Sequence, residues 1–198
     1  MSNCVKVDYG ILLFDKAFMK IEIISGSPRH ESVTVRVAKF LHKFLSETTT
    51  HEVNLLDIRD FPLPSIQKVW TSLEAVPEEW KHLGERIFSA DAFILVTPEF
   101  NGGYSPALKN LLDHFPKQSR KPFGVVTASV GAMGGMRASQ QMLLLVAAFF
   151  GVVSPQMLVT PLVDKKFDAE GNLLDESFQR QVDSFVKEYL WLAESLVK

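Results

Sequence analysis

Cysteine is all but missing from this chain: Cys4 stands alone in 198 residues. No internal disulfide can form, which excludes the small secreted class held by bridges and points to a reducing, cytoplasmic setting. Charge of one sign is lacking as well. Twenty-one Lys and Arg oppose 23 Asp and Glu, a formal net charge of -2, so no broad basic surface is expected and nucleic acid is not an expected partner. The five histidines (30, 42, 51, 82 and 114) show no paired ligand spacing, and no metal site is expected from them. Long apolar runs are missing too. The longest, residues 142–153, falls short of the roughly 20 residues of a membrane span. A helix apolar on every side is instead read as buried between two surfaces. The apolar stretch at 11–14 stops at Asp15 with no small-residue cleavage site after it, unlike an export signal.

No linker, internal repeat or low-complexity tract divides the chain. Met19-Lys20 directly precedes the first β-rich run, so residues 1–18 read as an N-terminal extension and 19–198 as one domain. The extension is open to two readings, a tail with little role or a segment packed on a partner subunit.

What the chain does have is an alternation of strand and helix signals, the pattern of a parallel sheet with helices on both faces. Residues 20–25 form a β-rich run ending at Gly26-Ser27-Pro28, and apolar residues then recur at helical spacing through Val33, Val37, Phe40, Leu41 and Phe44. Residues 51–56 read as a second strand. Pro77, Glu78 and Glu79 mark a helix start, since proline suits the first position and acids the positive end of the dipole. Residues 92–97 are almost continuously apolar, as a central parallel strand covered on both sides should be. Ser105 and Pro106 are suited to cap and open the next helix, striped by Leu108, Leu111, Leu112 and Phe115. Residues 123–129 read as the fourth strand, 157–160 as the fifth, and a last amphipathic helix carries Phe178, Val182, Phe185, Val186 and Tyr189. The count is five strands and five helices.

In open parallel sheets ligands bind beyond the carboxyl ends of the strands, and three loops there have unusual composition. After strand one comes Ser25-Gly26-Ser27-Pro28-Arg29-His30-Glu31-Ser32-Val33-Thr34, leading into a helix N-terminus. Its exposed N–H groups, its hydroxyls at Ser27, Ser32 and Thr34, and the charge of Arg29 suit a phosphate monoester. It matches neither GxGxxG nor a P-loop, and it reads equally well as a capped turn with an exposed arginine. After strand three comes Thr97-Pro98-Glu99-Phe100-Asn101-Gly102-Gly103-Tyr104-Ser105-Pro106. Paired glycines there allow close approach to a flat ligand, and Phe100 and Tyr104 offer aromatic faces. Phe100 as a core residue and Glu99 as a solvated acid are the plain alternatives. After strand four comes Ser129-Val130-Gly131-Ala132-Met133-Gly134-Gly135-Met136-Arg137. Its N–H groups suit the edge of a heterocycle, or its glycines serve tight packing alone. Arg137 is read as an interface residue in preference to a catalytic one.

Together these loops resemble the NADPH-dependent FMN reductase family, which includes quinone, azo-dye and chromate reductases. The likeness lies in GSPRHESVT at 26–34, TPEFNGGYSPALKNLLDHF at 97–115 and SVGAMGGMRASQQML at 129–143, with FDAEGNLLDESF at 167–178 similar to the family's tail. The resemblance implies an α/β, flavodoxin-like three-layer sandwich with a five-stranded parallel sheet of order 2-1-3-4-5. It implies that Ser27, Arg29, Ser32 and Thr34 hold an FMN phosphate. Pro98, Glu99, Phe100, Asn101 and Gly102 would then run along the isoalloxazine, with Ser129 and Gly131 near its pyrimidine edge. Phe100 departs from the family's usual tyrosine, keeping a stacking face and losing a hydroxyl.

The resemblance further implies NADPH or NADH as cosubstrate and a small-molecule acceptor (flavin, quinone, azo compound or metal oxyanion) served in ping-pong order. The cofactor would carry the chemistry, so no catalytic side chain is expected. A homodimer or homotetramer is implied, with the Leu108 helix and the apolar Met142 helix as interface elements. A flavodoxin-type electron carrier, or a flavin-dependent partner-binding protein, is the alternative; carriers tend to be strongly acidic, which this chain is not. Ser25-Gly26-Ser27-Pro28 is not the GxSxG elbow of a serine hydrolase.

Overall fold

The computed structural model describes residues 18–197, so the expected extension falls outside the described residues apart from Phe18. Twelve principal elements follow in order: β1 (Lys20–Ser25), α1 (Thr34–Thr48), β2 (Glu52–Asp57), α2 (Lys81–Ser89), β3 (Ala92–Thr97), α3 (Pro106–Asp113), β4 (Pro122–Ala128), α4 (Met136–Ala148), β5 (Val152–Val153), β6 (Leu158–Thr160), α5 (Val163–Lys166) and α6 (Gln179–Leu196). Every strand pairing is parallel, in the order β2-β1-β3-β4 with β5 and β6 both on the free side of β4.

The sheet therefore has six strands, where the sequence reading expected five. The order 2-1-3-4-5 survives because the fifth lane is one lane in two pieces. Val152 and Val153 pair with Pro122 and Phe123, and Leu158 to Thr160 pair with Val126 to Ala128. Between them Ser154 donates its N–H to Phe123 O at 2.8 Å. Pro155, which has no N–H, then breaks the ladder. The five expected helices are present, and a sixth, α5, is a single turn.

Two apolar layers sandwich the sheet. On one face α1 and α6 pack on Ile21, Ile23, Ile94 and Val126; on the other α2, α3 and α4 pack on Ile24, Phe93, Leu95 and Val125. The alternation along each strand sends neighbours to opposite layers, so the central strands β3 and β4 are buried throughout. Gly124 lets α6 approach the sheet closely. A Cβ there would stand 2.9 Å from Phe185 Cζ and 3.1 Å from Tyr189 Cδ2.

α3 and α4 differ from expectation in their packing. The α3 leucines Leu108, Leu111 and Leu112 are spent inside the chain's own core. α4 buries one side only, through Met142, Leu145 and Val146, and turns Leu144 (67% exposed) and Met136 outward. Just past its end Phe150 is 65% exposed and has a left-handed φ of 58°. Phe150 N–H bonds Ala147 O and Gly151 N–H bonds Val146 O, the paired bonds of a Schellman stop. The position that glycine usually takes holds phenylalanine. Glycine is displaced to 151, where a Cβ would meet the Phe123 ring at 2.5 Å.

Tyr189 is wholly buried beneath the sheet, and its hydroxyl has no hydrogen-bond partner among the described residues. Burial holds the phenol far above its ordinary pKa of 10.0. Above that pH the unfolded chain releases a proton that the folded chain keeps, so stability falls as pH rises past about 10. Tyr189→Phe keeps the ring and removes the unpaired group. We expect it to stabilise the fold by about 1 kcal/mol and to flatten the alkaline loss, as read by denaturant unfolding near pH 8 and near pH 11.

Candidate functional site

The carboxyl ends of β1, β3 and β4 lie side by side, with Ser25 in register with Val96, and Thr97 with Thr127. The loops that leave them converge on one cavity of about 90 Å³, lined by Ser27, Arg29, Glu31, Ser32, Val33, Thr34, Pro98, Glu99, Ala128, Ser129 and Val130. Seven of the eleven sequence-predicted residues are on that wall. The volume matches a phosphate group and is far too small for a tricyclic ring.

The β1–α1 loop is built for an anion. α1 starts at Thr34 with no acid in its first turn, and the one side-chain cap on it, from Ser32, takes up a single amide, so the positive end of its dipole still faces the loop. Ser27 and Thr34 are each 2% exposed. Ser32 Oγ accepts from Val35 N–H at 3.2 Å and still has its own proton to donate. Gly26 is required by close packing, since a Cβ there would meet Leu108 and Val96 O at 3.0 Å. The loop is held from β2 by Arg59. Its guanidinium pairs with Asp57 and donates through Nη1 to His30 O at 2.8 Å. From the other side Arg36 and Lys39 of α1 donate to Phe167 O and Ala169 O, both at 3.0 Å, which docks the 167–173 turn on α1.

The loop after β3 is a miniature hairpin. Phe100 and Gly103 exchange both backbone hydrogen bonds, at 2.9 and 3.0 Å, around Asn101 and Gly102 with φ of 51° and 84°. Asn-Gly is the pair that such two-residue turns demand. The Phe100 ring receives the Arg29 guanidinium, whose Cζ is 4.7 Å from the ring centroid, a cation–π contact that joins this hairpin to the β1–α1 loop. Asn101 and Gly102 lie outside the cavity wall, at the turn's tip. Behind the loop, Ser105 Oγ caps α3 through Leu108 N–H at 3.2 Å, with Pro106 as its first residue.

The loop after β4 is fixed mostly by its own backbone. Ser129 Oγ accepts from Gly131 N–H at 3.0 Å, while Ser129 N–H and C=O bond Thr160 and Val163. Gly131 lies just beyond the cavity wall. Gly134 (φ 60°) and Gly135 (φ 87°) have the close-packing role weighed for them: their Cβ positions fall 2.7 Å from Pro161 N and 2.9 Å from Thr127 Cβ.

Glu99 is not a solvated acid. Its side chain is 17% exposed. Oε2 accepts from Arg137 N–H at 3.1 Å and Ala138 N–H at 3.3 Å, and Oε1 pairs with Arg137 Nη1 at 3.3 Å. These amides belong to the first turn of α4, whose own N-cap, Gly135, supplies no side chain.

Glu31, Val33, Ala128 and Val130 line the cavity although sequence reasoning did not single them out; Glu31, Val33 and Val130 sit within the loops described, and Ala128 ends β4 beside Ser129. A cavity of about 500 Å³ lies at the opposite, amino end of the sheet. Its charged groups are paired with each other, Glu22 with Arg86 and Lys20 with Glu52. Burial raises the Glu22 pKa against the lowering effect of Arg86. His114, buried under Trp70 with Nδ1 2.7 Å from Asn110 O, is structural. Among the described residues no acidic, histidine or cysteine group forms a metal cluster, and no helix is long and apolar enough to cross a membrane.

A sequence model of the NADPH-dependent FMN reductase family matches residues 19–162. The chain belongs to this family. An FMN-dependent NADPH-azoreductase of Staphylococcus aureus strain USA300 is 31% identical over 177 residues, spanning 85% of this chain and 92% of the relative. Among solved structures, the flavoenzyme NAD(P)H:(acceptor) oxidoreductase FerB of Paracoccus denitrificans superposes with a TM-score of 0.72 at 21% identity, over 90% of this chain and 98% of that one. A flavodoxin variant from Pseudomonas aeruginosa gives 0.54 at 20% identity, over 89% and 99%. Membership makes the chain an oxidoreductase, and the superpositions establish the flavodoxin-like sandwich.

The rigidity of the β4–α4 loop generates a test. Gly134→Ala must displace the Pro161 backbone and adopt a left-handed φ, so it should cost about 1–3 kcal/mol in denaturant unfolding. A variant as stable as the parent would mean that the loop yields.

Proposed function

We propose that this member of the family binds FMN and uses it to carry electrons from NADPH or NADH to a small acceptor. The observation that carries this reading is the phosphate-sized cavity at the N-terminus of α1, walled by Ser27, Arg29, Ser32 and Thr34. Serine and threonine hydroxyls, N-terminal amides and one guanidinium form the donor set that a phosphate monoester dianion takes. With the phosphate in that cavity, the ring would be held between the Phe100 hairpin and the 129–133 loop, with Ser129 and Gly131 near its polar edge. There Pro98, Phe100, Asn101 and Gly102 give it a wall, and exposed backbone N–H groups favour negative charge.

When bound, FMN supplies the redox chemistry, accepting hydride from the nicotinamide nucleotide and passing electrons to an acceptor that follows it into the same place, a ping-pong order. The chain itself binds and orients the cofactor. The activity of the azoreductase relative supports an azo compound as acceptor.

Purified protein should bind FMN at micromolar concentration and turn over NADPH with a quinone or azo dye in steady state, giving parallel double-reciprocal lines. An electron carrier would bind FMN and show no turnover without a separate reductase. Arg29→Ala should weaken FMN binding about ten- to hundredfold, the worth of roughly 1.5–3 kcal/mol for a charge-assisted contact, with unchanged affinity removing Arg29 from the site.

A ring held between two loops needs a cover, and we read the protein as a homodimer, alone or paired into a tetramer, joined through α4. Met136 and Leu144 of α4, with Phe150 and Val152 just past its end, are large apolar side chains left exposed on this side, an exposure that favours an interface. Leu144→Lys should shift the sedimentation profile toward monomer and weaken flavin retention along with it.

A further inference from the structure

The Glu99 carboxylate stands in the wall of a cavity read as an anion site, where an unpaired negative charge would repel the ligand. It is not unpaired. Two first-turn amides of α4 and the Arg137 guanidinium hold it, at 3.1, 3.3 and 3.3 Å, and they spend its charge on the positive end of that helix. A carboxylate from the β3–α3 loop thus caps α4, whose own start offers only Gly135. The contact is made 38 residues along the chain. Its immediate neighbour Phe100 stacks on Arg29, so adjacent residues of one hairpin grip the loops on either side. Arg137 completes the brace by laying its side chain along Gly102, where a Cβ would find Arg137 Cδ at 3.7 Å.

We propose that Glu99 is a positioning residue rather than a cofactor contact. It clamps the Phe100 hairpin to the first turn of α4 and so fixes the ring-side half of the flavin site before the flavin arrives. The inference rests on the FMN reading above. It assigns Arg29 to the phosphate and Glu99 to the ring side, a division that can be measured with a flavin that has no phosphate.

The test compares parent, Glu99→Ala and Glu99→Gln in two readouts. The first is hydrogen exchange at the Arg137 and Ala138 amides without flavin, and the second is the affinity for FMN and for riboflavin by fluorescence quenching. Glu99→Ala is expected to speed exchange at those two amides and to weaken FMN and riboflavin by the same factor, about tenfold, as loss of one charge-assisted contact predicts. Glu99→Gln retains an oxygen that accepts from the two amides and should stay within about threefold of the parent. Arg29→Ala, in contrast, should weaken FMN by a larger factor than riboflavin, since it removes the phosphate's charge partner as well as the Phe100 contact. If Glu99→Ala does not fold, Glu99→Asp, charged but one methylene too short, takes its place with the same expected result.

Unchanged exchange and affinity in the Ala or Asp variant overturns the proposal. So does a loss confined to FMN, which would put Glu99 at the phosphate, or a Gln variant as impaired as Ala. A parent protein that binds neither flavin defeats the FMN reading instead, while the exchange readout still judges the clamp.

Discussion

Both hydrogen-bonding edges of β1 are occupied, one by β2 and the other by β3, and the rest of the molecule follows from that. The chain must leave β1 to build one side of the sheet and then return across it to build the other. Its crossover helices therefore lie on opposite faces, α1 on one and α2 on the other, since each parallel crossover keeps the same hand. Where they diverge, the loops after β1 and β3 part from each other and leave a crevice at the carboxyl ends. No special residue is needed to open it. What the side chains decide is the chemistry lining it and how firmly its walls stand.

The walls stand by charge as much as by packing. α4 is bracketed at both ends: Glu99 accepts from its first-turn amides, and Lys117 donates to Ala148 O at its last turn at 2.6 Å. Each group has the sign that the helix dipole favours at that end, and each comes from a segment outside the helix. The β1–α1 loop is held in a comparable way, by Arg59 from the end of β2. A helix with little polar sequence of its own is thus fixed in place by its neighbours. Its outward side sets Met136 and Leu144 among Arg137, Gln140 and Gln141.

Much of this was legible in the sequence, and for definite reasons. β1 and β3 have the expected bounds because an apolar run closed by Gly26 or Pro98 can begin and end nowhere else. Ser105 and Pro106 mark the start of α3 because capping is a local, side-chain-to-backbone event. The Asn101-Gly102 turn is local too, although the sequence reading placed those two residues along a ligand and not in a hairpin. The capping of α4 was not legible, since its acceptor lies 38 residues upstream and Glu99 has the composition of any loop acid. The stripe of α3 could be read as apolar, but not as inward-facing within one chain, because periodicity shows that a face is buried without saying by what. The two valines of β5 are too few to register as a strand at all.

The broken fifth lane has a consequence of its own. Its lower piece is tied to the end of α4 through Gly151 and Val146, and its upper piece to the β4–α4 loop through Thr160 and Ser129. Between Val153 and Leu158 little is shared: Pro155 and Gln156 face solvent, and Gly124 and Val125 of β4 have no ladder partner on that side. Added length there would bulge outward without altering the register of either half. The molecule thus offers an attachment point, on the rim of the sheet, where a reporter or an extra module could be spliced in while the cofactor crevice keeps its shape.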